Sequence, residues 1–167
     1  MPGMHKAVTD AVNEQIRHEL ESAYIYLSMS AHFEAENLPG FAKWMRLQSQ
    51  EEMNHAMRLF DYLNDRGARV VLHALAQPPE SFKSPLSVFE QAYEHEQKIT
   101  SLIEQLHQTA GKQNDAATQV MLQWFITEQV EEEKNAQQVV EQLRLAGDNR
   151  AALLFLDRQL GARTSAD

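Results

Sequence analysis

Residues 47–63 read LQSQEEMNHAMRLFDYL, a pattern in which ionisable and apolar positions share one face. Steps of three and four residues connect Gln48, Glu52, His55, Leu59 and Tyr62. This spacing predicts an α-helix that turns all of them towards the same neighbours. An isolated ionised side chain in a bundle core is very costly, so this face requires a positive partner inside the bundle.

Three other long segments show the same spacing, which predicts an all-α protein built on a left-handed four-helix bundle. Each segment carries polar groups at its middle: Glu19 in the first, Glu52 with His55 in the second, Glu96 in the third, and Gln129 with Glu132 in the fourth. A single polar core position can fix the register of a bundle. Because four helices carry such groups at one level, the pattern indicates a metal site instead.

Proline and glycine separate these segments and indicate the topology. We expect one domain over residues 1–167: the bundle at about 5–146, a crossover at 68–84, a short fifth helix at about 148–160 and a tail at 161–167. The crossover has 17 residues and spans up to about 56 Å when extended, whereas a helix of about 27 residues is roughly 40 Å long. The second and third helices can therefore lie parallel. Asp148 is the expected cap of the fifth helix.

Composition excludes several classes of function. The chain has 167 residues, no cysteine and a formal net charge of −9. Without cysteine, thiolate zinc sites, iron–sulfur clusters and disulfides are excluded. The negative charge disfavours nucleic acid and anionic membranes and favours cations. We expect a cytoplasmic protein, because the sequence shows neither a secretory signal nor an apolar run long enough to span a membrane.

The two helix pairs form an internal repeat. Glu19 and Glu52 are 33 residues apart, and so are Glu96 and Gln129. A Glu followed on the next helix by Glu-x-x-His, used twice, is the ligand pattern of di-iron bundles. The first half is complete, whereas the second half has Gln129-x-x-Glu132. We therefore expect an asymmetric site.

Two metal positions follow from this repeat. The first would use Glu19, Glu52 and His55, and the second would use Glu96, a bridging Glu52, and either Glu132 or Gln129. Carboxylates with one imidazole suit Fe(II) or Mn(II), whereas structural zinc favours more histidine or cysteine. Open coordination positions leave room for dioxygen. Since imidazole binds metal only when neutral, we expect the affinity of the first metal position, which contains His55, to fall below about pH 6.5.

Tyr26 lies seven residues after Glu19, two turns along the same predicted face. Two roles are open for it. The hydroxyl can donate a hydrogen bond to a metal ligand, or the ring can fill the core with its hydroxyl satisfied elsewhere.

Five spaced motifs resemble those of the prokaryotic non-haem ferritins. They are Asn13-Glu14-Gln15 leading to Glu19, Gln50–His55, Tyr93–Glu96, Glu128–Glu133 and Leu143–Gly147. The resemblance implies a ferritin-like bundle whose copies form a hollow shell, normally of twenty-four subunits. It implies oxidation of Fe(II) by dioxygen or hydrogen peroxide and storage of a ferric mineral. By position, the iron sites would be Glu19, Glu52 and His55, and then Glu52, Glu96 and Glu132, with Gln129 nearby.

The resemblance also implies a third iron site, at Glu51, Glu128 and Glu131, with Glu132 shared. The spacing alone leaves two interpretations. The three residues of the fourth helix lie on one helix face, which can bind a cation or can simply be solvated on an acidic protein.

Three alternatives remain beside this interpretation. In the haem-binding relatives a methionine holds haem between subunits, and Met53 lies in the matching Glu-Met-x-His frame; we disfavour haem because the fourth helix lacks Glu-x-x-His. A second alternative is a di-iron oxidase or oxygenase of the same bundle class acting on an organic substrate. A third is an acidic helical scaffold that binds no metal.

The short fifth helix contains AALLFL at residues 151–156. A helix that is apolar nearly all round must be buried on most sides. The resemblance places it at a symmetry axis of the shell, against copies of itself. The alternative is that it caps the end of its own bundle.

Overall fold

The computed structural model describes residues 3–165 and, within them, contains five α-helices and no strand. The helices are α1 (Lys6–Ala35), α2 (Pro39–Asp65), α3 (Pro85–Lys112), α4 (Ala116–Ala146) and α5 (Arg150–Leu160). The prediction of an all-α bundle with a long connection after α2 and a short last helix is confirmed. None of the helices described in this range is long and apolar enough to cross a membrane.

Side-chain caps define several helix starts. Ahead of α3, the Ser84 side chain accepts a hydrogen bond from the amide of Ser87. At the start of α4, the Asp115 side chain accepts one from the amide of Thr118. The predicted cap of α5 was wrong by one residue. Asn149, not Asp148, accepts from the amide of Ala152, and the helix begins at Arg150.

The connection at residues 66–84 is bound along the outside of α1. Asn13 donates to the carbonyl oxygen of Arg69 at 3.0 Å and accepts from the amide of Val71 at 2.8 Å. Near the other end of α1, the Ser28 hydroxyl donates to the carbonyl oxygen of Pro79. The connection therefore runs in the direction of α1, which makes α2 and α3 parallel as predicted.

The hydrophobic core consists of two clusters, one on each side of the polar residues at mid-helix. The lower cluster includes Val12, Ile16, Leu59, Leu63, Ile103, Leu122 and Phe125. The upper cluster includes Met29, Phe33, Phe41, Met45, Phe89, Val140, Leu143 and Leu156. Each long helix contributes to both clusters, so the glutamates between them are held at one level.

Helix α5 packs against the start of α2. Asp157 is buried, and its carboxylate accepts from the amide of Phe41 at 2.9 Å, which caps α2 from another helix. Gly40 makes this approach possible, since a Cβ there would lie 1.6 Å from the carbonyl oxygen of Asp157. The opposite side of α5 is open: Leu154 and Phe155 are 56% and 67% exposed.

Candidate metal centre

The polar layer at mid-bundle brings together the side chains that the sequence predicted. All four long helices contribute to it, and all its members are buried: Glu19 from α1, Glu52 and His55 from α2, Glu96 from α3, and Gln129 and Glu132 from α4. The apolar clusters above and below exclude water, so the charges in this layer interact in a medium of low polarity.

Two groups in this layer are compact enough to share a metal ion. One consists of Glu19, Glu52 and His55, and the other of Glu52, Glu96 and Glu132; within each group the ligand atoms lie within 4.8 Å of one another. Glu52 belongs to both groups. The repeat likewise assigned Glu52 to both metal positions.

Among the described residues, four buried ligand atoms in the layer have no hydrogen-bond partner, although His55 Nδ1 and Glu52 Oε2 lie 3.3 Å apart as an ion pair. They are Oε2 of Glu19, Oε2 of Glu52, Nδ1 of His55 and Oε2 of Glu132. The other oxygens of the first two carboxylates are bound: Gln15 donates to Glu19 Oε1 at 3.1 Å, and Gln48 donates to Glu52 Oε1 at 2.9 Å. Because buried polar atoms are normally paired, this set fits a site that binds cations.

The carboxylates of the layer oppose one another's ionisation. Burial, together with the charges of Glu96 and Glu19, raises the pKa of Glu52 well above its usual value. Burial and the charges of Glu52 and Glu96 do the same to the pKa of Glu132. Burial also raises the pKa of Glu96. The cation-free layer therefore retains protons that a metal ion would displace.

His55 supplies the positive charge in the cation-free layer. Burial acts to lower its pKa, but the Glu19 carboxylate and the charge of Glu132 outweigh burial and raise the pKa to about 9. For Glu19, burial is likewise outweighed by the adjacent His55 and Glu52, and its pKa is lowered. The imidazolium is thus the resident partner of these carboxylates until a cation replaces its proton.

The second half of the layer is held by hydrogen bonds to Glu96. The Tyr26 hydroxyl donates to Glu96 Oε1, and Gln129 Nε2 donates to Glu96 Oε2 at 3.1 Å. Tyr26 therefore fills the core and also contacts a carboxylate of the layer. Of the two open candidates for the second position, Glu132 lies in the compact group and Gln129 orients Glu96.

We expect Tyr26→Phe to weaken the second cation position about tenfold. The hydroxyl acts to lower the pKa of Glu96 against the effect of burial, so its loss strengthens proton binding at that carboxyl. Calorimetric titration with Zn(II) measures the second binding step. Tyr24→Phe, an exposed tyrosine on the same helix, is the matched control. Equal second-step affinities in parent and Tyr26→Phe would contradict this role.

The three residues predicted for a third site line a cleft of about 960 Å³ between α2 and α4. Of these, Glu128 alone joins a compact group within the described part of the chain, with His55 and Glu132. Glu131 is exposed. Glu51 forms an ion pair with Arg163 at 2.8 Å. The structure thus brings these residues to one cleft without gathering them around one point.

Sequence reasoning missed the side chains that orient the layer. Gln48 lay on the predicted core face but was not assigned a role, although it donates to both Glu52 and Glu132. Trp124 packs edge-to-face on His55, with ring centroids 5.4 Å apart. No sequence pattern pointed to Arg163, because this residue lies in the tail beyond α5, where no helical spacing exists.

A four-helix bundle that gathers buried glutamates and a histidine at its middle has the architecture of the carboxylate proteins that bind two metal ions. A family model described as ferritin-like domain matches residues 9–146. The chain therefore belongs to the ferritin family, and iron storage is its function class.

Individual relatives agree with this assignment. Bacterial non-heme ferritin of Bacteroides fragilis is 45% identical over 154 residues, covering 92% of this chain and 96% of that protein. The protein of the same name from Staphylococcus aureus is 35% identical over 161 residues, covering 96% of this chain and 97% of that protein. Among solved structures, an open-pore ferritin from Archaeoglobus fulgidus is 47% identical with a TM-score of 0.96, covering 97% of this chain and all of that one. An engineered closed form of that ferritin has a TM-score of 0.97 at 47% identity, covering 98% of this chain and 100% of its own.

Proposed function

We propose that this chain is a ferroxidase as well as an iron store: it binds two Fe(II) ions in the mid-bundle layer and oxidises them with dioxygen or hydrogen peroxide. The observation that carries the proposal is the pair of compact groups that share Glu52 and hold four ligand atoms without a hydrogen-bond partner in the described part of the chain. Glu19, Glu52 and His55 would hold one ion, and Glu52, Glu96 and Glu132 the other. Two adjacent Fe(II) ions supply the two electrons that convert one dioxygen to hydrogen peroxide, with protons taken from water.

The cleft between α2 and α4 is the proposed route between the layer and the bundle surface. Buried His55 and Glu132 lie on its wall, and the lining as a whole has six acids against two arginines, together with apolar Met57, Met121 and Trp124. An excess of acidic groups attracts Fe(II) and suits a third iron site. The excess of acids over arginines in this lining supports the entry of Fe(II) and with it the ferroxidase proposal.

We propose that copies of the chain assemble into a shell, of twenty-four subunits as the resemblance implies, that encloses the oxidised iron. Exposed apolar side chains support assembly: Leu145 at the end of α4, and Leu154 and Phe155 on α5. Large apolar side chains grouped on a surface mark protein contacts. The proposed shell works in the cytoplasm, with iron and its oxidant as partners and without haem, nucleic acid or membrane.

Negative-stain microscopy of protein loaded aerobically with Fe(II) tests this function. We expect closed shells with electron-dense centres, and empty shells before loading. Zn(II)-loaded protein is the control, because zinc binds but cannot be oxidised. Protein that binds Fe(II) and reacts with dioxygen but never retains a mineral would contradict iron storage and favour an oxidase.

The pH dependence of cation binding should extend well above the range expected from the sequence. His55 has a pKa near 9 in the cation-free layer, so its stabilising charge is fully present below pH 6.5 and lost as the pH rises through about 9. A bound cation must displace this proton, and affinity therefore keeps rising through neutral pH instead of levelling above about 6.5. Zn(II) titrations at several pH values should show about one more released proton for the parent than for His55→Gln. An affinity that is constant between about pH 6.5 and 8 would contradict the prediction.

A further inference from the structure

The tail that follows α5 returns to the metal centre and binds there through one side chain. Arg163 Nη2 donates to Glu51 Oε2 at 2.8 Å and to Gln48 Oε1 at 3.0 Å. Nη1 donates to the carbonyl oxygen of Trp44 at 3.1 Å, and the guanidinium lies 4.4 Å from the centroid of the Trp44 ring. The Arg163 side chain is only 17% exposed. These contacts fix the guanidinium at the edge of the layer.

The position of the guanidinium explains why Glu51 stands apart from the other acids of the cleft. Its Oε2 atom is bound to Arg163, and among the described residues it joins no group compact enough to hold a metal ion. A charge-assisted hydrogen bond of this kind is strong, and the positive guanidinium repels a divalent cation that approaches the same carboxylate. Arg163 and an ion at the third site therefore compete for Glu51.

Gln48 connects the same guanidinium to the di-metal layer. Its Oε1 accepts from Arg163, and its Nε2 donates to Glu52 Oε1 at 2.9 Å and to Glu132 Oε1 at 3.1 Å. An amide has one acceptor end and one donor end, so fixing the oxygen directs the nitrogen at the carboxylates. The tail thus orients a bridging carboxylate through a single intermediate side chain.

We propose that Arg163 is a built-in counter-cation that holds the third metal site closed, and that a divalent cation reaches Glu51 only by displacing the tail. The proposal rests on the proposed function, which supplies the third site. By linkage, tail docking and third-site binding weaken each other by the same factor. Arg163 is a positioning residue, since it acts on the metal through Glu51 and Gln48.

Calorimetric titration of the whole assembled protein with Zn(II) tests the competition without any redox step. We expect the third binding step to be about tenfold tighter in Arg163→Gln than in the parent, with a smaller change in the first two steps, which Arg163 reaches only through Gln48. Arg163→Lys, which keeps the charge, should stay closer to the parent. A third step that is equal or weaker in Arg163→Gln overturns the proposal.

Glu51→Gln separates this proposal from the proposed function. Loss of the third step in Glu51→Gln, with no difference between parent and Arg163→Gln, overturns the role of Arg163 alone. Retention of all three steps in Glu51→Gln shows that the third site does not use Glu51, which overturns the role of Arg163 and leaves the proposed ferroxidase standing. Failure of the first two steps in the parent contradicts the proposed ferroxidase.

Trp44 fluorescence reports directly whether the Arg163 guanidinium leaves its position on the Trp44 ring when a cation binds. The chain has two tryptophans, so Trp44 is the only one left in a Trp124→Phe background. We expect its emission to change at the third equivalent of Zn(II), as the guanidinium leaves the ring, and no such step when Arg163→Gln is added. An emission that does not respond to the third equivalent shows that the tail stays docked, which overturns the proposal.

Discussion

Glu52→Gln should lose fast Fe(II) oxidation and yet make the iron-free protein more stable. Glu52 is the one residue shared by both compact groups, so its loss removes a ligand from each iron ion. We expect the initial oxidation rate to fall at least about a hundredfold, measured by stopped-flow absorbance. Unchanged oxidation would show that Glu52 does not bridge.

The stability effect follows from the raised pKa of Glu52. A carboxyl whose folded pKa lies above its usual 4.5 favours folding most below pH 4.5, and that contribution is lost as the pH rises through the folded pKa. At neutral pH the buried carboxyl therefore destabilises the folded protein, and replacing it with neutral glutamine removes that destabilisation. We expect the melting temperature of the apo protein to rise by about 4 °C at pH 7, with a smaller difference at about pH 4.5.

Glu131→Gln is the matched control for both measurements. Glu131 is an exposed acid of the same cleft, outside the compact groups. We expect its first oxidation burst and its melting temperature to stay close to those of the parent, since exposed substitutions rarely shift stability much. A loss of the burst in this variant would mean that entry through the cleft, not ligation, limits the rate.

Gly40→Ala should detach α5 and impair shell assembly. The added Cβ would lie 1.6 Å from the carbonyl oxygen of Asp157 and 2.5 Å from its carbonyl carbon, so one backbone must move. Movement of α5 breaks the hydrogen bond between Asp157 and the amide of Phe41. Overpacking and the lost cap together cost about 3 kcal/mol.

Light scattering and circular dichroism distinguish this outcome from global unfolding. We expect smaller or salt-sensitive assemblies that keep the helical signal of the bundle, as for a chain that ends before Asp148. Gly3→Ala is the control, because a Cβ there has no neighbour within 4 Å among residues 3–165. Intact shells of parental stability in Gly40→Ala would show that the docking of α5 does not govern assembly.

Much of the fold was predictable because polar and apolar positions on each long helix follow one spacing. That spacing places Glu19, Glu52, Glu96 and Glu132 at one level, and the repeat pairs the helices. The cap at Asn149 was missed because neighbouring Asp148 has equal capping chemistry, and only the backbone distinguishes them.

The supporting contacts of the site were less accessible to sequence reasoning. Gln48 has the periodicity of a core residue but carries no sign of which carboxylates it will meet. Arg163 comes from a segment without periodicity, and its contact with Glu51 spans 112 positions in the chain. Such contacts depend on how the α5 backbone approaches Gly40, which spacing within a single helix does not encode.

The division of the core into an upper and a lower cluster has a consequence for cooperativity. Apolar contacts couple the helices within each cluster, whereas the layer between them contains mutually repelling carboxylates. In the iron-free protein the two ends can open with different free energies, and within the long helices the amides at the layer should exchange faster than those in either cluster. A bound cation turns that repulsion into attraction across all four helices, so the loaded subunit should unfold as a single unit.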